Sequence, residues 1–356
     1  MPSGKFNKIL IVRTDRIGDV ILTTPAIKLL KDFWPDSSIS MLVAPQTKEL
    51  IINNENIDEV IIDDRKGLNK GLFGYLKLVR ELCKRKFDLA IVYHTKRRAN
   101  LTCFLAGIPV RLGYKNKKFG FLLTDPLEDE RFLGNKHESQ YCVDVLKALD
   151  MDFSGIDSEK FEMQVSLSES SEKWAGSFLK SKGLLKKDII IAIHPGASDS
   201  SKQWPYKYFA GLIEELIKRY KCKIVIVGDA RIKDISEKIV SLVRGSIIDA
   251  TGFTTVGQLV SLLNRCGLLV SNDSGPVHIA AALGVPVVSI FTRNEPGINP
   301  ECWRPLSANS VVVSVPYNAA GQMGINFQKA DECDQQYLEI IKIPQVLEAV
   351  DSIFKL

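Results

Sequence analysis

Residues 272–286 combine the polar groups and the spacing best suited to binding a phosphate, and they stand between two apolar runs. Four small or polar residues come first, followed by Pro276 and an alanine-rich stretch that ends at Gly284. This order predicts a buried strand, a tight turn, a short helix capped by Ser274, and a second strand. A helix that starts at the carboxyl end of a parallel strand presents N–H groups and the positive end of its dipole to a ligand. A lone turn of this kind more often only caps a helix. The segment therefore has two interpretations, a phosphate-binding site and a simple helix cap.

Length and composition are those of a globular protein with two domains. The chain has 356 residues, of which 45% are apolar and 25% charged. A net charge of +5 fits an acidic ligand or an anionic membrane surface and is too small to argue for nucleic acid. No apolar run reaches the roughly 18 residues of a membrane-spanning helix. Because Met1 to Lys8 leads directly into a strand, we also expect no signal peptide, and we predict a cytoplasmic protein.

The cysteines and histidines show no metal-binding or disulfide pattern. Seven cysteines without CxxC spacing argue against both a disulfide framework and a zinc site. Four histidines, without an HExxH motif or a carboxylate cluster, give a dedicated metal site little support. We therefore predict no metal ion and no cofactor besides the substrate.

Strands and helices alternate along the first half of the chain. Predicted strands cover residues 8–12, 39–43, 60–62 and 88–93, and predicted helices cover residues 20–33, 74–86 and 137–149. The loop after the first strand contains one glycine, Gly18, where a dinucleotide-binding turn has three, so an oxidoreductase is the weakest alternative. Pro25 should either kink the first helix or restart it at Thr24.

A second series follows a polar, serine-rich linker at residues 151–171. Its predicted strands cover residues 189–193, 223–227, 267–271, 287–291 and 311–315, and its predicted helices cover residues 204–220, 234–243, 256–266 and 344–354. Two series of this kind predict an α/β protein with two Rossmann-like parallel-sheet domains, residues 1–160 and 161–343, facing a cleft. The last segment, residues 344–356, is a helix that can pack back on the N-terminal domain.

Basic residues collect in the N-terminal half, beyond the strand that ends at Tyr93. Many such runs are solvated surface, but cations at the carboxyl edge of a sheet can also hold an anionic ligand. The candidates for binding an anionic acceptor are Arg97, Arg98, Arg111, Lys115, Lys117 and Lys118.

Five segments carry the motifs of one family in the same order. They are residues 16–26 (RIGDVILTTPA), 111–114 (RLGY), 194–205 (HPGAS and KQWP), 227–229 (VGD) and 272–286 (NDSGPVHIAAALGVP). Together they resemble glycosyltransferase family 9, the ADP-heptose:lipopolysaccharide heptosyltransferases. The C-terminal region departs from the family pattern, because only Cys333 remains of a cysteine-containing segment and residues 319–336 match nothing familiar. This departure leaves the acceptor and the exact sugar open.

The resemblance implies a role for each matched residue. Asp19 takes the place of the proposed catalytic base in the N-terminal, acceptor-binding domain. The C-terminal domain holds the nucleotide sugar, with an acidic residue near the nucleoside that is Asp229 or, by spacing, Asp234. The residues implied to bind the donor are Ser198, Lys202, Asp229, Thr254, Asp273, Ser274, Gly275 and His278.

The resemblance also implies a GT-B fold and an inverting, metal-independent transfer of heptose from ADP-heptose to the inner core of lipopolysaccharide. Its partners are then a nucleotide-sugar donor and an anionic lipid-linked saccharide, with peripheral contact on the cytoplasmic face of the inner membrane. Two alternatives stay open: a GT-B transferase with another nucleotide sugar or acceptor, and a nucleotide-sugar-binding protein without catalysis. Measuring which nucleotide sugars protect the protein against thermal unfolding distinguishes the first alternative from a heptosyltransferase. Detecting a reaction product distinguishes a transferase from the second alternative.

Overall fold

The computed structural model describes residues 5–149, 151, 157, 161–185, 187–325, 327 and 335–354. The chain divides into two compact units, each with its own sheet. Unit 1 consists of residues 1–132 and 136–166, and unit 2 consists of residues 133–135 and 167–356. The predicted linker lies partly outside the described residues. Its described residues from Phe161 to Ser168 form neither a helix nor a strand, and the Ser166 N–H donates to the Leu50 carbonyl within unit 1.

Unit 1 contains a six-stranded sheet in the order β3-β2-β1-β4-β5-β6, in which all neighbouring strands run parallel. Its strands are β1 (Lys8–Arg13), β2 (Ser38–Val43), β3 (Glu59–Ile62), β4 (Leu89–Val92), β5 (Val110–Tyr114) and β6 (Asp125–Leu127). The central strands β1 and β4 are almost wholly buried because helices cover a parallel sheet on both faces.

Four α-helices accompany this sheet. They are α1 (Ile17–Phe33), α2 (Gly71–Arg85), α3 (Arg97–Leu105) and α4 (Glu138–Leu146). Leu78 and Leu82 of α2 share a core with Leu10 and Val12 of β1. The helix α1 begins at Ile17, three residues before the predicted start.

Pro25 lies inside α1, yet the helix does not restart at Thr24 as one alternative predicted. Proline has no N–H to give to the carbonyl of Ile21, four residues earlier. The Thr24 hydroxyl donates to that carbonyl instead, at 2.7 Å. The same hydroxyl accepts the N–H of Gln164 at 2.9 Å. A neighbouring side chain therefore supplies the hydrogen bond that the imide nitrogen cannot make.

Unit 2 repeats the design with a parallel sheet in the order β12-β11-β10-β7-β8-β9. Its strands are β7 (Ile190–His194), β8 (Lys223–Ile226), β9 (Ile247–Asp249), β10 (Leu268–Asn272), β11 (Val287–Phe291) and β12 (Ser310–Ser314). Its α-helices are α5 (Glu169–Ser181), α6 (Tyr206–Tyr220), α7 (Lys233–Leu242), α8 (Val256–Leu263), α9 (Gly275–Ala282), α10 (Pro300–Trp303), α11 (Ala319–Gln322), α12 (Gln335–Leu338) and α13 (Ile343–Phe354).

The last helix, α13, is part of unit 2, whereas the sequence analysis allowed for packing on the N-terminal domain. It contacts α6 and the strands β11 and β12. Its apolar side, with Val346 and Val350 fully buried, joins the core that also contains Phe209 and Leu216 of α6. Burial of the apolar side of this amphipathic helix explains why it packs on unit 2.

Several elements were not predicted from the sequence, among them the strands β5, β6 and β9 and the 13-residue helix α5. The strand β5 coincides with the basic run around Arg111, and β6 is three residues long with Pro126 at its centre, as edge strands allow. Among the helices that the structure describes, none combines the length and the apolar character that crossing a bilayer requires.

Candidate active site

The strand, turn and helix predicted around residues 272–286 are present in unit 2, and the phosphate site assigned to them stays a prediction. The strand β10 ends at Asn272 and α9 begins at Gly275, with Pro276 in its first turn and Gly284 in the left-handed conformation just after it, at φ 72°. Ser274 stands at the N-cap position, but its side chain does not cap the helix, which corrects the prediction. Its hydroxyl bonds to the Asn272 carbonyl at 3.0 Å and contacts His194 Nδ1 at 3.1 Å. The first-turn N–H groups are therefore not used by Ser274.

Lys202 and Asp273, two predicted donor-binding residues, form an ion pair at the start of α9. Lys202 Nζ lies 2.5 Å from Asp273 Oδ2, and the two side chains are 16% and 10% exposed. Lys202 ends the short 3-10 helix Ser200–Lys202, which Asp199 caps by accepting the Ser201 N–H at 2.9 Å. A cation is thus held where the phosphates of a ligand would meet the helix dipole.

Asn272 connects the loops that form this edge, and sequence reasoning missed it. Its side-chain oxygen accepts the Trp204 N–H at 3.0 Å, and its side-chain nitrogen donates to the Pro195 carbonyl at 2.7 Å. The side chain is fully buried, so these are the contacts that fix the Lys202 loop against β10. The sequence feature that could have identified Asn272 is a polar residue at the end of a buried apolar strand.

Two histidines lie behind the site rather than at its surface. Burial lowers the pKa of His194 to about 4, so the ring is neutral and contacts the hydroxyls of Ser271 and Ser274 through Nδ1. His278 is buried inside α9, one turn after the helix start. Its part in donor binding stays a prediction.

The other predicted donor residues occupy loops at the same edge. Ser198 is exposed in the loop after β7, and Thr254 is half-buried just before α8. The Gly252 N–H donates to the Gly228 carbonyl at 2.9 Å, so the Thr254 loop lies beside Asp229. Asp229 lies three residues after the end of β8 and caps the 3-10 helix Ala230–Ile232, whereas Asp234 lies exposed in the first turn of α7. A hydrogen bond from the Arg231 side chain lowers the pKa of Asp229.

Asp19 lies in the first turn of α1, near the end of β1, and a buried arginine holds its carboxylate. Arg13 Nη2 donates to Asp19 Oδ1 at 2.7 Å and to Glu138 Oε1 at 2.8 Å. Arg13 Nε also lies 3.2 Å from Asp15 Oδ1. Because α1 begins at Ile17 with Arg16 at the N-cap position, Asp19 does not cap this helix.

The Arg13 cluster, defined as Arg13, Asp15, Asp19 and Glu138, was not predicted as a unit. Arg13 is 2% exposed and faces three carboxylates. Burial raises the pKa of Asp15 to about 6 even though Arg13 opposes the shift. The hydrogen bond from Arg13 reaches Oδ1 of Asp19, and the other carboxylate oxygen, Oδ2, is not part of that bond.

A second polar group surrounds the end of β4. His94 Nδ1 contacts the Thr14 hydroxyl at 2.7 Å, and Arg65 Nη2 donates to the same hydroxyl at 2.7 Å. Burial lowers the pKa of His94 to about 4, with Arg65 adding to the shift. Asp63, almost fully buried, accepts both Arg65 and Arg98. His94 and Arg65, the two partners of the Thr14 hydroxyl, were not predicted as site residues from the sequence.

The predicted acceptor-binding cations divide into engaged and available side chains. Arg98 pairs bidentately with Asp63 at 2.6 and 2.9 Å. Arg111 donates to the main-chain carbonyls of Ile108 and Leu122. Lys115 pairs with Glu128 at 2.6 Å on the surface. The exposed cations without an ion pair to a described residue are Arg97, Lys117 and Lys118.

No three acidic, histidine or cysteine side chains come together as metal ligands within the described ranges. Lys202 and the start of α9 bring positive charge to the predicted phosphate site.

Comparison of the sequence and the structure with known proteins identifies one family of similar proteins. The model for Glycosyltransferase family 9 (heptosyltransferase) matches residues 75–330. Lipooligosaccharide heptosyltransferase 2 of Haemophilus influenzae is 26% identical over 320 residues, covering 86% of this chain and 88% of the relative. The crystal structure of a family 9 glycosyl transferase from Veillonella parvula superposes with a TM-score of 0.84 at 26% identity, covering 98% of this chain and 97% of that one. The ADP-heptose lps heptosyltransferase II of E. coli gives a TM-score of 0.78 at 22% identity and covers 98% of both chains. The predicted GT-B fold of two Rossmann-like domains is thereby confirmed.

Proposed function

Because the chain belongs to glycosyltransferase family 9, we propose that it transfers a heptose from ADP-heptose to the inner core of lipopolysaccharide with inversion at the anomeric carbon. The observation that carries this proposal is the meeting of Lys202, Asp273 and the start of α9 at the carboxyl edge of the second sheet. This edge can hold a diphosphate with a lysine and main-chain N–H groups.

The reaction is a single displacement at the anomeric carbon. An acceptor hydroxyl oxygen bonds to that carbon as its bond to the diphosphate oxygen breaks, and ADP leaves with the electron pair. Asp19 takes the hydroxyl proton on Oδ2, while Arg13 keeps the carboxylate oriented through Oδ1. Lys202 and the N-terminal end of α9 stabilise the negative charge that grows on the leaving diphosphate. We assign no resident metal ion to this site.

The acceptor is an anionic lipid-linked saccharide, and the protein acts in the cytoplasm on the inner face of the inner membrane. The available cations of unit 1, Arg97, Lys117 and Lys118, are suited to its phosphate and carboxylate groups. Arg98, Arg111 and Lys115 are also proposed to bind the acceptor. To do so, each would have to release the hydrogen bond or ion pair that it makes within the protein.

Product analysis tests the proposed function. The chain, ADP-heptose and a heptose-deficient core lipid are incubated together, and mass spectrometry of the lipid should show the addition of one heptose. A product formed only with another nucleotide sugar or acceptor would favour the second transferase alternative. Binding of ADP-heptose without any product from a panel of core lipids would favour a non-catalytic binding protein.

Replacement of Lys202 by alanine should weaken ADP binding by about 10- to 100-fold and adenosine binding much less. A hydrogen bond to a charged group contributes about 1.5–3 kcal/mol, and the lost contact is to phosphate. Isothermal titration calorimetry with both ligands measures the difference. Lys207→Ala, on an exposed lysine at the start of α6, is the matched control. Equal weakening of both ligands would show that Lys202 does not contact phosphate.

The Lys202→Ala variant also leaves Asp273 without its cation. We therefore expect a loss of stability that the double variant with Asp273→Asn largely recovers, while its ADP affinity stays low. Recovery of ADP binding in the double variant would instead mean that Lys202 acts only by neutralising Asp273.

Reversing the charges of Lys117 and Lys118 to glutamate should raise the KM for the acceptor about tenfold or more and leave the KM for the donor unchanged. Each exposed cation near an anionic surface contributes about 1 kcal/mol, and screening over about 10 Å reduces this at higher salt. Initial rates at two salt concentrations measure both effects. Lys115→Glu is the control with the smaller expected effect, because Glu128 already neutralises Lys115. An unchanged acceptor KM in the double variant would contradict the assignment.

A further inference from the structure

One region of unit 1 carries far more positive than negative charge. Residues 65–124 contain fifteen Lys and Arg against two acidic residues, Glu81 and Asp88, although the whole chain carries only +5. The described ion pairs of this region use Arg65, Arg85, Arg98 and Lys115. They leave exposed lysines without a described ion pair, among them Lys66, Lys70, Lys117 and Lys118.

The same region exposes large apolar side chains. Phe73 is 89% exposed, Leu68 and Phe121 are each 80% exposed, and Leu72 is 68% exposed. Single exposed apolar residues are ordinary on a protein surface, whereas several together mark a surface that something covers.

Hydrogen bonds hold the turn before α2, which carries Leu68. The Asp64 carboxylate accepts the N–H groups of Gly67 at 2.9 Å and Leu68 at 3.1 Å. The Asn69 side-chain oxygen accepts the Asp64 N–H at 2.8 Å. The turn that carries Leu68 is therefore fixed, and it leads directly into the first turn of α2, which carries Phe73.

The first turn of α3 lies between Tyr75 of α2 and the short 3-10 helix that carries Phe121. The Arg98 guanidinium lies 4.4 Å from the centre of the Tyr75 ring in α2. Its neighbour Arg97 lies 5.8 Å from the centre of the Phe119 ring, which contacts Phe121 with ring centres 5.7 Å apart. Two consecutive arginines thus bring the Tyr75 ring of α2 and the Phe119 and Phe121 rings into one region of unit 1.

We propose that this region docks on an anionic lipid bilayer. The docking surface is defined as Leu68, Leu72, Phe73 and Phe121 together with Lys66, Lys70, Lys117 and Lys118. The inference deepens the proposed function, on which it rests for a membrane-bound acceptor.

The composition of the docking surface favours a bilayer over a protein partner. Protein interfaces are depleted in lysine, whereas a surface that lies on a membrane combines exposed apolar side chains with lysines. The apolar groups enter the boundary between head groups and acyl chains, and the ammonium groups meet lipid phosphates. The unneutralised lysines supply the charge complementarity that an anionic leaflet requires.

Vesicle sedimentation tests the docking surface. The full chain is mixed with vesicles of phosphatidylglycerol and phosphatidylcholine, or of phosphatidylcholine alone, without donor or acceptor. We expect binding to the anionic vesicles that weakens with salt, and little binding to the neutral ones. Leu72→Ser with Phe73→Ser should reduce binding at least about tenfold, because each side chain loses its transfer into an apolar environment. Lys66→Glu with Lys70→Glu should reduce it by at least about 25-fold, since each cation contributes about fivefold.

Matched substitutions in unit 2 control for surface changes in general. Leu185→Ser and Lys187→Glu alter an exposed leucine and an exposed lysine there and should bind vesicles as the unaltered chain does. Equal binding to neutral and anionic vesicles, or docking variants that bind as well as the controls, would overturn the proposal. Self-association without vesicles that the Leu72 and Phe73 substitutions abolish would also overturn it, in favour of a second copy of the chain. Because these vesicles contain no acceptor, the result is independent of whether heptose is transferred.

Discussion

Replacement of Asp19 by asparagine is expected to slow heptose transfer by about a hundredfold to ten-thousandfold and to leave donor binding unchanged. General-base catalysis contributes rate factors of this size, and an amide cannot accept the hydroxyl proton. The substitution keeps the shape of the side chain and one oxygen for Arg13, so the fold should persist. Single-turnover rates, with ADP affinity measured in parallel, give the two quantities.

The Arg13 cluster supplies the controls for this prediction. Asp15→Asn and Glu138→Gln each remove another carboxylate beside the same guanidinium. If Asp19 serves only as a partner of Arg13, all three variants should lose similar activity. A catalytic base at Asp19 requires that its variant be slower than the other two by at least an order of magnitude. Near-normal turnover of Asp19→Asn would remove the assignment.

Replacement of Arg13 by methionine is expected to cost about 3–5 kcal/mol of unfolding free energy. Removing one partner of a buried ion pair leaves the other charges uncompensated, and here three carboxylates lose their cation. Urea unfolding of the full chain measures the loss. Arg85→Met is the matched control, since its pair with Glu59 is largely exposed and should contribute at most about 1 kcal/mol.

The loss in Arg13→Met should also depend on pH. Burial already raises the pKa of Asp15 to about 6 with Arg13 present, and removal of the guanidinium takes away the influence that opposes this shift. A carboxyl group whose pKa is higher in the folded state destabilises the fold increasingly as the pH rises above its unfolded value. The variant should therefore differ less from the unaltered chain at pH 5 than at pH 8. A pH-independent difference would indicate that lost packing, and not the carboxylates, causes the destabilisation.

The parts of the fold that can be predicted from sequence are those with a strong local signal. The strands β1, β7, β10 and β11 consist mostly of apolar residues, as expected where helices cover both faces of a parallel sheet. By contrast, β6 and β9 have three residues each and gain their extended form from pairing with a neighbouring strand. No local pattern distinguishes such segments from loops.

The candidate site divides in the same way. The pairing of Lys202 with Asp273 joins two residues that family motifs single out in advance. Glu138 and Arg13 are 125 residues apart, and only the packed fold brings them together. A glutamate in the first turn of a predicted helix is ordinarily explained by the helix dipole, so sequence alone gives no reason to connect it with Asp19.

The hydrogen bonds at Thr24 have a consequence for how α1 can vary among related sequences. One hydroxyl both donates to the carbonyl that Pro25 cannot serve and accepts the Gln164 N–H of the segment that leads out of unit 1. A change to valine would orphan two main-chain groups at once, while serine would preserve both. If Pro25 became alanine, its N–H could donate to the Ile21 carbonyl. The residue at position 24 would then be needed only to accept the Gln164 N–H. Positions 24 and 25 should therefore change together, and an alignment of close relatives should show hydroxyl residues at 24 most consistently where 25 is proline.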